Sequence, residues 1–303
     1  MQTEDVSVLE HRLEDFLHAP LAATFFVLAE RNDLGPDHLA DPATACTLAA
    51  TALAVLDPWT GDAPTLRASA LDAAQPLRPL VREVLTDERN TWWQAPPQQQ
   101  AQLSLTAQDE ARPHPAEITV PTGALERWET YAQKPTGALI TSIELPVPEG
   151  QPIRSSAHAA LAYGLGDWNA TYPVRQQRLH VAPDARVAEV HSATDWHDLA
   201  ASYGELATHP GSDTHLQSSA DIDNGPAPTW SALAGDYDGV HLSFAGLLSA
   251  LYVPVTTAGI GTTTLWAWSW ESTYWVRSVF TTITDLTPLP KAPETAGYWQ
   301  PLD

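Results

Sequence analysis

The sequence predicts an α+β protein: an N-terminal helical domain over residues 1–92 and, over 93–303, a mixed, mainly antiparallel β-sheet domain with short helices. Three observations carry this expectation. Up to Arg89 the apolar residues recur at three- and four-residue spacing. Beyond Thr122, short β-rich runs alternate with short helical runs through local, hairpin-like connections. The change of character falls at Thr91-Trp92-Trp93-Gln94-Ala95-Pro96-Pro97. A chain of 303 residues has room for two ordinary domains, and its hydrophobic fraction of 44% is that of a folded protein.

In the first half, Leu9, Leu13, Phe16 and Leu17 mark one helical face, and Phe25, Leu28, Leu48, Leu53 and Leu56 continue the pattern. Asp41-Pro42 is a helix start signal and Asp57-Pro58 a stop; a helix pair follows over roughly 66–85, interrupted at Pro76 and Pro79. Residues 98–105, rich in Gln, read as an edge strand, and the Pro-rich 112–121 as a loop. Then come a short helix over 123–133, a strand over 138–145, a helix over 155–164, and strands near 177–181 and 186–191. A helix capped by Ser192 or Thr194 leads to a loop over 209–228, a helix over 230–237 and a strand from Gly239.

Charge limits the partners. With 37 Asp and Glu against 15 Lys and Arg the net charge is −22, and Lys occurs only at Lys134 and Lys291. Broad contact with a nucleic acid or an anionic membrane needs the opposite balance, so neither is expected as a partner. The lone Cys46 provides neither an intramolecular disulfide nor a cysteine zinc site, and lies in a helical run where a small buried thiol is the ordinary reading. The N-terminus has no secretory pattern, and the longest apolar run, near 242–255, is too short to span a bilayer; a cytoplasmic protein is the expectation.

The segment 266–280, Trp-Ala-Trp-Ser-Trp-Glu-Ser-Thr-Tyr-Trp-Val-Arg-Ser-Val-Phe, reads as one buried strand of alternating aromatic and small residues with a single carboxylate, Glu271, at its middle. A carboxylate among indole rings loses hydration, and such groups concentrate at functional sites. Alternation equally allows an outward-facing Glu271 on an edge strand. His241, in Gly239-Val-His-Leu-Ser-Phe244, falls on the face opposite Val240 and Leu242; it reads as a hydrogen-bonded core histidine or as one half of an acid/base pair with Glu271 on a neighbouring strand. His191, Asp195, His197 and Asp198 lack helical metal-ligand spacing and read as a helix N-terminus, so no metal is expected. The glycine pairs at Gly164 and Gly259 read as turns.

Three segments in order, Lys134-Pro-Thr-Gly-Ala-Leu-Ile-Thr-Ser142, Trp230 through Asp236-Tyr-Asp-Gly-Val-His-Leu242, and Trp268-Ser-Trp-Glu-Ser-Thr-Tyr-Trp-Val276, resemble a family of uncharacterised actinobacterial and phage proteins that look like distant members of the ADP-ribosyltransferase fold. The resemblance covers roughly residues 98–280. It implies an NAD-consuming protein that cleaves the bond between nicotinamide and ribose, with transfer to an acceptor or water. Glu271 would then be the catalytic late-strand carboxylate, Thr141 and Ser142 would belong to the nicotinamide-binding strand, and Trp268, Trp270, Tyr274 and His241 would line the site. Arg127, or a residue on the strand near 98–105, would stand for the first motif. The family writes Leu-Trp where this chain has Leu139-Ile140, and no first motif is clear. The alternatives are a non-catalytic interaction module of the same fold whose helical domain meets a protein partner, or a biosynthetic tailoring enzyme that uses the pocket for another ligand.

Overall fold

Prolines and short polar caps set where the helices begin. In the computed structural model, which describes residues 6–56, 63–106, 115–118, 139–148, 151–162, 173–205, 227–265 and 268–289, α1 spans Val6–His18, α2 Pro20–Arg31, α3 Pro36–Leu39 and α4 Pro42–Val55. Three of these four carry Pro at the first position, where its missing N–H has no helical partner to lose. Asp41 caps α4 by accepting from Thr44 N at 2.9 Å. The helices α5 (Ala63–Ala74) and α6 (Arg78–Thr86) are separated by a 3-10 turn at Gln75–Leu77, where Pro76 ends the regular pattern. Arg78 and Arg82 on α6 each reach a glutamate of α1 at 2.6 Å, Glu14 and Glu10 respectively; these partly exposed pairs add little stability.

The second half builds a seven-stranded, mostly antiparallel sheet. Its strands are β1 (Gln102–Thr106), β2 (Leu139–Ile143), β3 (Val174–Val181), β4 (Val187–Val190), β7 (Gly239–Leu242), β10 (Ser272–Trp275) and β11 (Phe280–Leu289), in the order β11-β3-β1-β2-β10-β7-β4. Only β4 and β7 run parallel, with Glu189 opposite His241. Their crossover passes through α8 (Ala193–Tyr203), the two-residue pair β5 (Gly204–Glu205) and β6 (Ala227–Pro228), and α9 (Trp230–Asp236). The chain also forms α7 (Ser156–Ala162), α10 (Phe244–Ala250) and a hairpin of β8 (Pro254–Thr257) and β9 (Gly261–Thr264), turned by Gly259 and Gly261 at positive φ.

Two expectations are corrected. The Gln-rich segment is not an edge strand: β1 pairs with β2 on one side and β3 on the other, and the strand starts only at Gln102 after a 3-10 turn at Pro97–Gln99. The Trp-rich stretch is not one long strand: among its described residues, Ser272–Trp275 form β10, Trp268, Trp270 and Glu271 lie ahead of it, and Phe280 already begins β11. There Trp268 turns edge-on to Tyr274, with ring centroids 4.6 Å apart, so these rings pack against each other rather than alternate along a ladder. The helix expected over 123–133 lies outside the described residues.

One face of the sheet carries Val240, Leu242, Ala188, Val190 and Tyr274, all buried in the same cluster as Leu13, Phe25, Leu28 and Leu48 of the N-terminal helices. Phe244 is the junction. Its ring lies 6.4 Å from Phe25, 4.7 Å from Trp92 and 5.1 Å from Trp93, so the helical layer and the sheet share one core. The other face buries Leu139, Leu179, Val181 and Trp275 together. No helix among the described residues is long and apolar enough to cross a membrane.

A Cβ on Gly246 would overlap the Val190 carbonyl oxygen, because α10 packs its first turn directly on the end of β4. Gly246→Ala should therefore lower the unfolding free energy by about 1–3 kcal/mol or more. Gly235, in α9, has nothing within 4 Å of the same atom, and Gly235→Ala should stay neutral or gain up to about 1 kcal/mol. Thermal melts of the two variants side by side check the contrast.

Candidate functional site

At the end of the central strand β10 the antiparallel ladder with β2 stops after Thr273 and Thr141, leaving the Ile143 N–H free to turn toward a side chain. Glu271 fills that position. Its carboxylate accepts from Ser142 Oγ at 2.6 Å and from Ile143 N at 3.2 Å to either oxygen, and His241 Nε2 lies 3.3 Å from Oε1. The Glu271 backbone N–H donates to Ser156 Oγ at 3.0 Å, which ties the residue to the first turn of α7. The side chain is 3% exposed, so the outward-facing alternative does not hold.

His241 bridges two carboxylates. It is fully buried; its Nδ1 lies 2.5 Å from Glu189 Oε2 on β4, and its Nε2 faces Glu271. Burial pulls the imidazole toward neutrality, but hydrogen bonds to Glu189 and Glu271 and their charges outweigh it, and His241 is pushed up to about 9. At neutral pH it is an imidazolium that donates from both nitrogens. The neighbouring His191, whose Nδ1 lies 2.9 Å from Ser243 Oγ, moves the other way: burial lowers it, aided by the positive His241.

The helical layer reaches the same place. Cys46 on α4 hydrogen-bonds Ser156, and burial, then the Glu271 charge, raise its thiol well above the ordinary range, so it stays an inert SH. A second histidine beside the site, His158 on α7, is held neutral: Ser155 Oγ lies 2.8 Å from Nδ1, Gln176 Oε1 lies 3.0 Å from Nε2, and burial lowers it to about 4.

Of the residues expected at the site, Glu271, Ser142 and His241 come together. Thr141 does not join them. Its hydroxyl points to the opposite face, donating to Gln102 Oε1 at 2.9 Å and accepting from Trp275 Nε1 at 2.8 Å, as strand alternation requires of the neighbour of Ser142. Trp268 and Tyr274 are buried in the shared core and Trp270 in a smaller cluster with Leu105, Ala157 and Val174. Arg127 lies outside the described residues. His191, Asp195 and His197 diverge: Asp195 accepts from Ser192 Oγ and His191 N at the start of α8, while His197 Nδ1 lies 2.9 Å from Thr263 Oγ1. Sequence reasoning missed Glu189. Its signal was slight, a carboxylate alternating with Ala188 and Val190 on a short strand, with a partner 52 positions away. Among the described residues Val8, 49% exposed, is the large hydrophobic side chain left open to solvent, so the helices present no broad apolar face there.

No family model, curated protein or solved structure matches the chain.

The direction of the histidine shifts fixes two opposite pH dependences. His241 has a folded value raised above the usual 6.5, so its contribution to stability is complete below pH 6.5 and is lost as pH rises through about 9. The difference in urea-unfolding free energy between the wild type and His241→Gln should shrink steadily from pH 6 to pH 10. His158 has a depressed folded value, so its contribution is complete above pH 6.5 and is lost as pH falls through about 4. The same titration in acid, against His158→Gln, should show a loss of order 3 kcal/mol.

Proposed function

We propose that the chain is an NAD-consuming protein of ADP-ribosyltransferase-like fold, with Glu271 as the carboxylate that holds the ribose. The observation that carries the reading is the convergence of Ser142 from β2, His241 from β7 and Glu271 from just ahead of β10 between them, with the Ser142 hydroxyl 2.6 Å from the carboxylate. Cleavage of the nicotinamide–ribose bond sends the bonding electron pair out with nicotinamide and leaves an oxocarbenium-like sugar. A fixed carboxylate that accepts from a ribose hydroxyl orients that sugar and stabilises its positive charge. Glu271 is ready-made for this as an anchored acceptor at the end of a central strand. The longest of its contacts, 3.3 Å to His241, is the one a ribose hydroxyl would most readily replace.

A second reading, a non-catalytic binding module of the same fold, has support of its own. Both oxygens of Glu271 already accept from protein donors, and the side chain is almost wholly buried. In this arrangement the carboxylate stabilises the sheet and touches no solvent-borne molecule.

Nicotinamide release and calorimetric titration with NAD, on the wild type and Glu271→Gln, separate the two. The enzyme reading expects release by the wild type and a loss of at least about 100-fold in the variant, with NAD binding retained. Absence of both binding and release in a folded wild type rules it out and leaves the module.

A further inference from the structure

We propose that Glu189 is a positioning residue for Glu271, acting through His241. Glu189 and His241 sit on the adjacent strands β4 and β7 and Glu271 immediately ahead of the next strand, β10, with Glu189 paired opposite His241 and His241 opposite Thr273, two residues along from Glu271. The imidazole lies between the carboxylates, one on each ring nitrogen.

What singles out Glu189 is how little else it does. Its Oε2 meets His241, while its Oε1 is buried without a hydrogen-bond partner. A carboxylate that is 24% exposed at the sheet edge and makes a single polar contact is poor structural material, since an unpaired buried oxygen costs stability. Its one effect is on the histidine. Held by Glu189, the Nδ1 position is a donor, and the ring needs a second proton for Nε2 to donate to Glu271 as well. Without the Glu189 charge, a buried imidazole becomes neutral and carries one N–H. If that proton sits on Nδ1, Nε2 turns a lone pair toward the Glu271 carboxylate and repels it.

The surroundings do not supply a substitute. His191, just beyond the end of β4, is itself held toward neutrality by burial. Asp195 at the start of α8 is committed to His191 N and Ser192, Asp15 on α1 lies within its field, and Arg12 on α1 acts on His191. Cys46 on α4 stays protonated beside Glu271, and Ser142 on β2 is neutral. The cation paired with Glu271 is His241, and the group that keeps it a cation from the far side is Glu189.

The test is the side-chain nitrogen and proton spectrum of the histidines in uniformly labelled, full-length protein between pH 5.5 and 10, for the wild type, Glu189→Gln and Glu189→Asp. The wild type should keep both His241 ring nitrogens protonated past pH 8. In Glu189→Gln the midpoint should fall by about two pH units, a proton affinity roughly 100-fold weaker, and a single neutral tautomer should appear near pH 7. Glu189→Asp, which keeps the charge on a shorter arm, should restore part of the shift. A His241 titration unchanged in Glu189→Gln overturns the proposal. Should that variant not fold, a His241 titration unchanged in Glu189→Ala, which also removes the charge, overturns it equally. A kinetic arm rests on the reading of Glu271 as the reactive carboxylate: in Glu189→Gln, nicotinamide release should lose kcat rather than gain KM. If the wild type releases no nicotinamide, the enzyme reading falls while the histidine titration still decides the role of Glu189.

Discussion

The structure is organised around the burial of one negative charge, that of Glu271. An ionised carboxylate taken out of water loses several kcal/mol of hydration unless donors and a counter-charge replace it. Here the replacements come from three directions: a hydroxyl from β2, a backbone N–H freed where the β2–β10 ladder ends, and an imidazolium from β7. The donors belong to two strands, β2 at 128 and 129 positions away and β7 at 30, so the carboxylate is satisfied only when the centre of the sheet is complete. Such a group adds little net stability over an apolar replacement, but its removal strands several donors at once.

That requirement explains the layering. On the sheet face toward the N-terminal helices, Ser142, Ser156 and Glu271 meet beside an apolar cluster, and Cys46 of α4 reaches that spot. Toward the β4 edge of the sheet the strand–serine–helix unit recurs: Ser192 caps α8 after β4, and Ser243 caps α10 after β7. The parallel pairing of β4 and β7 brings both caps to one end of the sheet, and Gly246 allows α10 to lie against Val190 there. Phe244, the first residue of α10, then joins the sheet to Phe25, Trp92 and Trp93.

Much of this was legible in the sequence, for identifiable reasons. Helix starts at Asp41-Pro42 and Ser192 rest on local chemistry and needed no tertiary context. Placing His241 and Glu271 on neighbouring strands made their pairing one of two open alternatives, and the structure sets them 3.3 Å apart. What escaped was non-local or non-periodic. In β11 the apolar residues Phe280, Ile283, Leu286 and Leu289 recur every third position, so the two-residue alternation that marks a strand is absent; long pairing with β3 makes it one. The Trp-rich segment alternates from Trp266 to Trp270 in sequence, yet Trp268 packs edge-on against Tyr274 before the ladder begins. The Glu189–His241 contact depends on a parallel crossover, and no local pattern announces which two residues a crossover sets side by side.

The same contacts that make Glu271 a well-ordered acceptor also use up its accepting capacity, and this is the physical tension at the site. A carboxylate can orient a sugar only through a lone pair that the protein is not already using. Ser142 and Ile143 hold the group from β2, and giving up either would expose a buried donor in the middle of the sheet. His241 is different in kind. Its contact with Glu271 is the longest, and its other nitrogen is held more tightly, at 2.5 Å, by a residue at the sheet edge. The imidazolium can lengthen its contact with Glu271 and remain paired with Glu189, keeping its charge while an oxygen of Glu271 is vacated. Of the three donors, it is the one that keeps a carboxylate partner when its contact with Glu271 lengthens, and its Nε2–H then needs an acceptor on the incoming molecule, so any chemistry at Glu271 begins with the balance between its two carboxylate partners.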